Sequence, residues 1–192
     1  NNYVSKNLSI QVENKLSEGF IKVKFRASQF KGMPDMEGEV MGHFENAQHI
    51  IASIPFAPNR GMYAHKSFVP MSGHLSFNNS RFEFSKHQSF FIVDDHKGYY
   101  PYELKWDWLC AGFVENGQIT GISLTKNQSL DNEKHNENAL WHNGKLFKLP
   151  GIHFERKGDF WTIRDQKGTI HLEFQALYPK NVRINLGPFG KS

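Results

Sequence analysis

The segment Phe20–Arg26 has the sequence FIKVKFR, in which the apolar residues after Phe20 alternate with Lys and Arg. Successive side chains of a β-strand point to opposite faces, so Ile21, Val23 and Phe25 would share one face. The opposite face would carry only basic side chains. An apolar face and a charged face on one short segment indicate a strand whose sheet is buried on one side and in water on the other.

The same alternation recurs along the chain, in Leu8–Val12, Phe82–Phe84, Trp106–Trp108 and Ile170–Phe174. Glycine-containing pairs lie between such segments, and Asn-Gly in particular favours the positive φ values of a tight hairpin turn. These pairs are Asn116-Gly117, Asn143-Gly144, Lys157-Gly158 and Lys167-Gly168. No window of a dozen residues repeats apolar residues at helical spacing. The sequence therefore predicts an all-β fold, with an antiparallel barrel or barrels built from hairpins and little or no helix.

The length of the chain, 192 residues, suits one large β domain or two small ones. No linker, internal repeat or low-complexity segment divides the sequence. We therefore predict a single all-β region over residues 1–192, with any subdivision near residues 85–95. The 17 phenylalanines favour wide apolar walls over tight aliphatic layers.

Charge and cysteine content restrict the partners and the compartment. The net charge is only +4 and the basic residues are scattered, whereas nucleic acid needs a concentrated positive face, so we predict no nucleic-acid partner. The longest apolar runs are far shorter than the ~20 residues of a membrane-spanning helix. Cys110 is the only cysteine, which excludes an internal disulfide. Its aromatic neighbours favour a small buried side chain rather than a nucleophile, and a reducing, cytoplasmic compartment fits.

Common catalytic and metal-binding signatures are absent from the sequence. The ten histidines do not have the spacing of metal ligands, and there is no nucleophile elbow, phosphate-binding loop or dinucleotide fingerprint. We therefore predict no metal and no cofactor. The long polar segment 126–138 is either a lid over a barrel mouth or, as its composition favours, a solvated excursion.

The segment Val93–Gly112 is the richest in residues suited to chemistry. Asp94 ends an apolar run, a Gly/Pro turn follows, and Trp106 and Trp108 lie two residues apart, so we predict that they share one buried face. Aromatic rings beside carboxylates would bind an amphiphilic ligand or stabilise a developing cation. The simpler interpretation is structural, with the tryptophans filling a barrel floor and Asp94 accepting hydrogen bonds from turn amides.

This segment resembles a known family. The pattern VDxxxGxYPYxxxWxW, which begins at Val93 and ends at Trp108, is similar to the signature of the domain-of-unknown-function 2804 family. Further segments between residues 54 and 186 resemble that family in the same order; they are Ile54–Gly73, Glu137–Leu146 and Trp161–Phe174. The resemblance implies a calycin-like architecture of lipocalin-type barrels. That superfamily includes carotenoid hydratases and tocopherol cyclases, which act on polyprenyl substrates.

The sequence also departs from the family pattern. Asp95, His96 and Lys97 stand where the family has Trp-Gly-Arg, and Tyr100 stands where it usually has Trp. If the family's arginine and tryptophan act in a site, that site is altered in this chain. The family domain is longer, so the resemblance implies that an N-terminal portion is missing here. The sequence carries no signal for a particular oligomeric state.

Three functions fit these observations. The first is binding of a hydrophobic or amphiphilic small molecule in an aromatic-lined cavity, with Lys66, His96, Tyr100, Trp106, Trp108 and Asn138 as the candidate ligand-binding residues. The second is an enzyme that protonates, hydrates or cyclises a polyprenyl-type substrate, with Asp94 or Glu137 as the buried acid. Both carboxylates are expected at the same mouth of the barrel. The third is a structural or interaction protein whose barrel is filled by its own side chains.

Overall fold

The computed structural model describes residues 2–28 and 34–180. The chain forms two compact units, Asn1–Gly151 and Ile152–Ser192. The boundary between the two units lies between Gly151 and Ile152. Residues 85–95, where the sequence places any subdivision, lie within the first unit. None of the described segments forms a helix of the length and apolarity that crossing a bilayer requires.

The predicted all-β class is confirmed, and the main antiparallel sheet curls into a half-barrel. Among the described residues the regular elements are strands and one short 3₁₀ turn, Leu16–Glu18. The strands of the first unit are β1 (Asn2–Val4), β2 (Leu8–Lys15), β3 (Phe20–Ala27), β4 (Met36–His43), β5 (Ile50–Ala57), β6 (Arg60–Phe77), β7 (Ser80–Phe84), β8 (Phe90–Gly98), β9 (Asp107–Glu115), β10 (Gln118–Lys126), β11 (Ala139–His142) and β12 (Lys145–Lys148). The second unit contains β13 (Ile152–Lys157), β14 (Phe160–Asp165) and β15 (His171–Gln175), which form a three-stranded sheet.

Strand β6 is the element on which the first unit is organised. The eight-stranded sheet follows the order β1-β2-β3-β4-β6-β5, and β7 and β8 also pair with β6. The first half of β6 pairs with β5 and β8, and its second half with β4 and β7. Near the start of the second half lies Gly73, whose φ is 135°. A Cβ there would come within 2.1 Å of the carbonyl oxygen of Glu39 on β4, so only glycine fits this close approach.

The second sheet of this unit, β12-β11-β10-β9, packs against β6 through aromatic side chains. The buried ring of Phe68 on β6 lies 4.9 Å from the ring of Trp141 on β11 and 5.6 Å from that of Phe90 on β8, measured between centroids. The Phe68 ring covers Gly121 of β10, where a Cβ would come within 2.4 Å of it. The indole of Trp141 donates a hydrogen bond to the carbonyl of Gln48 at 2.8 Å. Packing rather than backbone pairing therefore holds the two sheets together in this region.

The hairpin turns predicted at the two Asn-Gly pairs are confirmed. Asn116 and Gly117 have φ values of 51° and 74° and join β9 to β10, and Asn143 and Gly144 have 51° and 70° and join β11 to β12. Two successive residues with positive φ match the right-handed twist of paired strands. These turns fix the register of both hairpins in the second sheet.

We expect Gly117→Val to lower the free energy of unfolding by at least about 1 kcal/mol, because a β-branched residue is strained at positive φ. The measurement is the urea midpoint and slope of the variant and the parent. Gly117→Asn is the matched control, since Asn tolerates the left-handed region and should lose less. Equal stability of the Val variant and the parent would contradict the turn assignment.

Candidate functional site

The first unit contains a cavity of about 530 Å³ with both apolar and charged walls. The apolar and aromatic side chains that line it are Phe56, Met62, Tyr100, Leu104, Trp106 and Trp108. The polar side chains that line it are Lys66, Asp94, His96, Thr125, Asn127 and Glu137. Four of these polar residues contact one another, and we refer to Lys66, Asp94, His96 and Glu137 as the charged cluster.

Strand alternation explains how β6 and β8 supply three members of the charged cluster. Met62 and Lys66 on β6 are four residues apart and therefore face the same side of the sheet. Asp94 and His96 on β8 are two residues apart and likewise share a face. Lys66 and Asp94 are directly opposite each other in the antiparallel pair β6–β8. The register of this pair therefore places an ammonium and a carboxylate side by side.

Glu137 reaches the cluster from the end of a buried segment that precedes β11. Asn138 accepts a hydrogen bond from the backbone N–H of Thr125 at 2.7 Å and donates one to the carbonyl of Pro150 at 2.8 Å. Asn136 accepts a bond from the N–H of Asn138 at 3.1 Å. Residues 136–138 are almost fully buried, so the prediction that 126–138 is a solvated excursion is wrong for this end of the segment. Side-chain amides satisfy the backbone polar groups that burial removes from water.

Lys66 is the centre of the charged cluster. Its side chain is 2% exposed, and its Nζ lies 3.4 Å from Asp94 Oδ2 and 3.3 Å from Glu137 Oε2. The same nitrogen lies 3.5 Å from Ser123 Oγ and 3.3 Å from Thr125 Oγ1. It also sits 5.5 Å from the centre of the Trp108 ring, a cation–π distance. An ammonium withdrawn from water is thus surrounded by acceptors and negative charge.

His96 links the two carboxylates of the cluster. Its Nε2 lies 2.9 Å from Asp94 Oδ1 and 3.1 Å from Glu137 Oε2. With a neutral imidazole the cluster carries one net negative charge, because two carboxylates face one ammonium; with a protonated imidazole the charges balance. The Glu137 side chain is 1% exposed, whereas those of Asp94 and His96 are 21% and 34% exposed. The cluster is therefore open to solvent on its Asp94–His96 side and closed at Glu137.

Two further titratable groups near the cavity have shifted pKa values. Burial raises the pKa of the Tyr100 phenol, and the charges of Asp95 and Glu137 raise it further. Burial likewise raises the pKa of the Cys110 thiol. Both groups are therefore neutral at physiological pH, and Cys110 packs beside the Phe68–Trp141 core, in keeping with the structural interpretation of this cysteine.

The structure brings together seven of the eight residues that the sequence analysis selected. Asp94 and Glu137 line one cavity with Lys66, His96, Tyr100 and the two tryptophans. Asn138 does not line the cavity; it is fully buried and holds the backbone between β10 and β11.

The prediction that Trp106 and Trp108 are buried is wrong. Trp106 is 59% exposed and Trp108 is 50% exposed, and Trp106 precedes β9 rather than lying within it. Both rings line the open wall of the cavity instead of filling a core. The apolar character of a tryptophan does not distinguish a cavity wall from a core, and here the core is formed by other aromatic residues such as Phe68 and Trp141.

Five of the residues that line the cavity were not predicted from the sequence; they are Asn127, Thr125, Phe56, Met62 and Leu104. The alternation Met62, Ala64, Lys66 was a usable signal, since it places the lysine on the face of a strand that is otherwise apolar. Nothing local distinguishes Asn127 from the other asparagines of its segment.

Three members of the charged cluster also have the geometry of potential metal ligands. Ligand atoms of Asp94, His96 and Glu137 lie within 4.8 Å of one another. Sequence spacing could not reveal this group, because His96 and Glu137 are far apart in the chain. The ammonium of Lys66, however, already contacts both carboxylates and occupies the place of a cation.

We expect Lys66→Met to lower the free energy of unfolding by about 3–5 kcal/mol, because it leaves a buried carboxylate without its counter-charge. Lys148→Met, at an exposed lysine of β12, is the matched control and should change stability by no more than about 0.5 kcal/mol. Chemical denaturation of both variants checks this. If the two variants are equally stable, the buried ion pairs do not hold the cluster together.

We also expect exhaustive chelation with EDTA to leave the melting temperature unchanged, because Lys66 supplies the positive charge that a metal would otherwise bring to the cluster. Calorimetry before and after chelation tests this. A lower melting temperature that zinc or calcium restores would identify Asp94, His96 and Glu137 as a metal site.

Comparison with known proteins identifies a family without assigning a function. The family model described as a domain of unknown function, DUF2804, matches residues 1–190, a wider span than the segments that carry the resemblance in the sequence. No curated protein and no solved structure matches the chain. The match covers nearly the whole sequence, and the chain therefore belongs to the DUF2804 family.

Proposed function

We propose that this protein binds an amphiphilic small molecule in the cavity of its first unit. The observation that carries the proposal is the combination of apolar walls with a buried charged cluster in one space of about 530 Å³. Ligand sites typically have volumes of roughly 300–1,000 Å³, mainly apolar linings and a few convergent polar groups. In this proposal the apolar part of the ligand lies against the aromatic rings and its polar group faces the cluster.

The exposure of Trp106 and Trp108 supports this proposal. Both rings are at least half exposed, and together with Tyr100 and Phe56 they present aromatic surface to the cavity. Large apolar side chains that remain open to a concave surface favour a ligand, because covering them removes apolar area from water. The alternative of a barrel filled by its own side chains requires no cavity, and the space lined by these rings argues against it.

The curled sheet also fits a lipocalin-type barrel, which encloses its ligand within a curved sheet. A half-barrel leaves one concave face that its own strands do not fill. The likeness to calycins remains part of the proposal, since it rests on the resemblance of sequence segments.

Catalysis on the bound molecule is the second candidate, and one observation favours it. A binding module needs no converging ionisable groups, yet His96 Nε2 lies within 3.1 Å of carboxylate oxygens from both Asp94 and Glu137. Such an arrangement would hold a proton beside a ligand in the cavity. In this second proposal a carboxyl of the cluster protonates an unsaturated ligand, and the ring of Trp106 stabilises the developing cation, because Lys66 already lies over the ring of Trp108.

The binding proposal is tested with N-phenylnaphthylamine, a neutral apolar dye that fluoresces when it leaves water. We expect the protein to bind the dye saturably at one site. Leu104→Trp, which narrows the cavity, should weaken binding by about tenfold or more, because the larger side chain occupies the space of the dye. Native mass spectrometry of the same samples would detect a co-purifying molecule that the variant loses.

The matched control is Leu130→Trp, since Leu130 is 65% exposed and is not among the residues that line the cavity. It should bind the dye as the parent does. Thermal unfolding shows whether both variants remain folded. Absence of saturable dye binding to the parent, or equal binding by the two tryptophan variants, would refute the proposed site.

A further inference from the structure

Two buried polar atoms among the lining residues have no hydrogen-bond partner within the described residues. They are Oε1 of Glu137 and Nδ2 of Asn127, in side chains that are 1% and 9% exposed. Buried polar atoms are nearly always paired, so an unpaired acceptor and an unpaired donor in one cavity require an explanation. A ligand that supplies the missing partners provides one.

The surrounding hydrogen bonds identify which atom of each side chain is unpaired. Oδ1 of Asn127 accepts the backbone N–H of Ser129 at 3.0 Å, so the amide orientation is fixed and Nδ2 remains as a donor. Oε2 of Glu137 is engaged by Lys66 Nζ and His96 Nε2, so Oε1 remains as an acceptor. One donor and one acceptor therefore remain unpaired in residues that line the cavity.

We propose that the polar group of the ligand is a hydroxyl, so that the bound molecule is a neutral amphiphilic alcohol. This inference rests on the proposed function of the cavity. A hydroxyl donates one hydrogen bond and accepts others, so it carries both the donor that Glu137 Oε1 lacks and the acceptor that Asn127 Nδ2 lacks. It adds no charge to a cluster in which Lys66 already balances one of the two carboxylates.

A carboxylate ligand such as a fatty acid does not satisfy the same atoms. It accepts from Asn127 but has no proton to donate to Glu137, and it would add a third negative charge beside Asp94 and Glu137. The Lys66 ammonium does not compensate for this, since its four neighbouring oxygens already outnumber its three N–H groups.

An ammonium ligand fails for the opposite reason. It donates to Glu137 but has no lone pair with which to accept from Asn127. The Lys66 ammonium also lies over the Trp108 ring already, so that ring does not provide a cation-binding face for the ligand. The alcohol is the one of these three head groups that completes both unpaired atoms.

Displacement of N-phenylnaphthylamine by three ligands of equal chain length tests the inference at neutral pH. The probes are decanol, decanoate and decylammonium, which differ only in the head group. We expect decanol to bind about tenfold or more tightly than either charged probe, because each charged probe leaves one buried atom unpaired.

A substitution at Asn127 then tests the assignment of the donor. Asn127→Asp keeps the acceptor for the N–H of Ser129 but replaces the unpaired donor with an acceptor, so decanol should bind more weakly and decylammonium more tightly. Asn116→Asp makes the same change of charge in an exposed hairpin turn and should leave the order of the three probes unchanged. Asn127→Ser removes the donor without adding charge, and should weaken decanol binding without a gain for decylammonium.

The outcomes separate this inference from the proposed function. If the dye binds in the cavity but decanoate or decylammonium displaces it as well as decanol does, the alcohol assignment is overturned and amphiphile binding stands. If the dye binds and none of the three probes displaces it, the alcohol assignment is also overturned. If neither dye nor probes bind to folded protein, both proposals fail. Tightest binding of decanol, with the reversal in Asn127→Asp, supports the inference.

Discussion

The ammonium of Lys66, buried between Asp94 and Glu137, is the interaction on which the rest of the site depends. An isolated charge in this position would be strongly unfavourable, and the structure compensates by bringing acceptors from β8, β10 and the segment before β11 to the Lys66 ammonium on β6. Because these elements come from both sheets of the first unit, the same contacts that neutralise the lysine also fix how the strands around the cavity are placed. Stability and site geometry therefore have a common origin here.

Strand β6 makes this convergence possible. It pairs on both edges along its length, and at Gly73 its backbone approaches β4 too closely for any side chain. The half of β6 before this point carries Lys66, paired directly with Asp94 of β8, and the packing of Phe68 against Gly121 and Trp141 brings the second sheet to the same strand. A single long strand thus carries the cation, one wall of the cavity and the contact that positions Glu137.

Local features of the sequence were enough to predict the fold class, but they were not enough to predict the arrangement of the site. Alternation in Phe20–Arg26 predicted the strand that is β3, and the Asn-Gly pairs predicted two hairpin turns, because both signals arise between residues that are neighbours in the chain. The pairing of Lys66 with Glu137 depends on how two sheets pack, which no local pattern encodes. For the same reason Asp94 and Glu137 could be selected as candidates, while the role of Lys66 as their shared counter-charge could not be foreseen.

The wrong prediction for Trp106 has a different cause, since hydrophobicity predicts contact with apolar groups without saying whether those groups belong to the protein or to a ligand.

The pattern of hydrogen bonds in the cavity connects these observations. Asn136 and Asn138 have their side-chain amides engaged by the backbone, so these two asparagines act as structural connectors. Asn127 differs, because its oxygen is used in the same way while its nitrogen is not. Glu137 shows the same division between an engaged and an unengaged atom. In each of these two residues one side-chain polar atom is paired and the other is not, and both residues line the cavity of about 530 Å³. Oδ1 of Asn132, in the same segment, is also buried and unpaired, but Asn132 is not among the residues that line the cavity. The chemistry of a molecule bound in the cavity therefore follows from the two unpaired atoms among its lining residues.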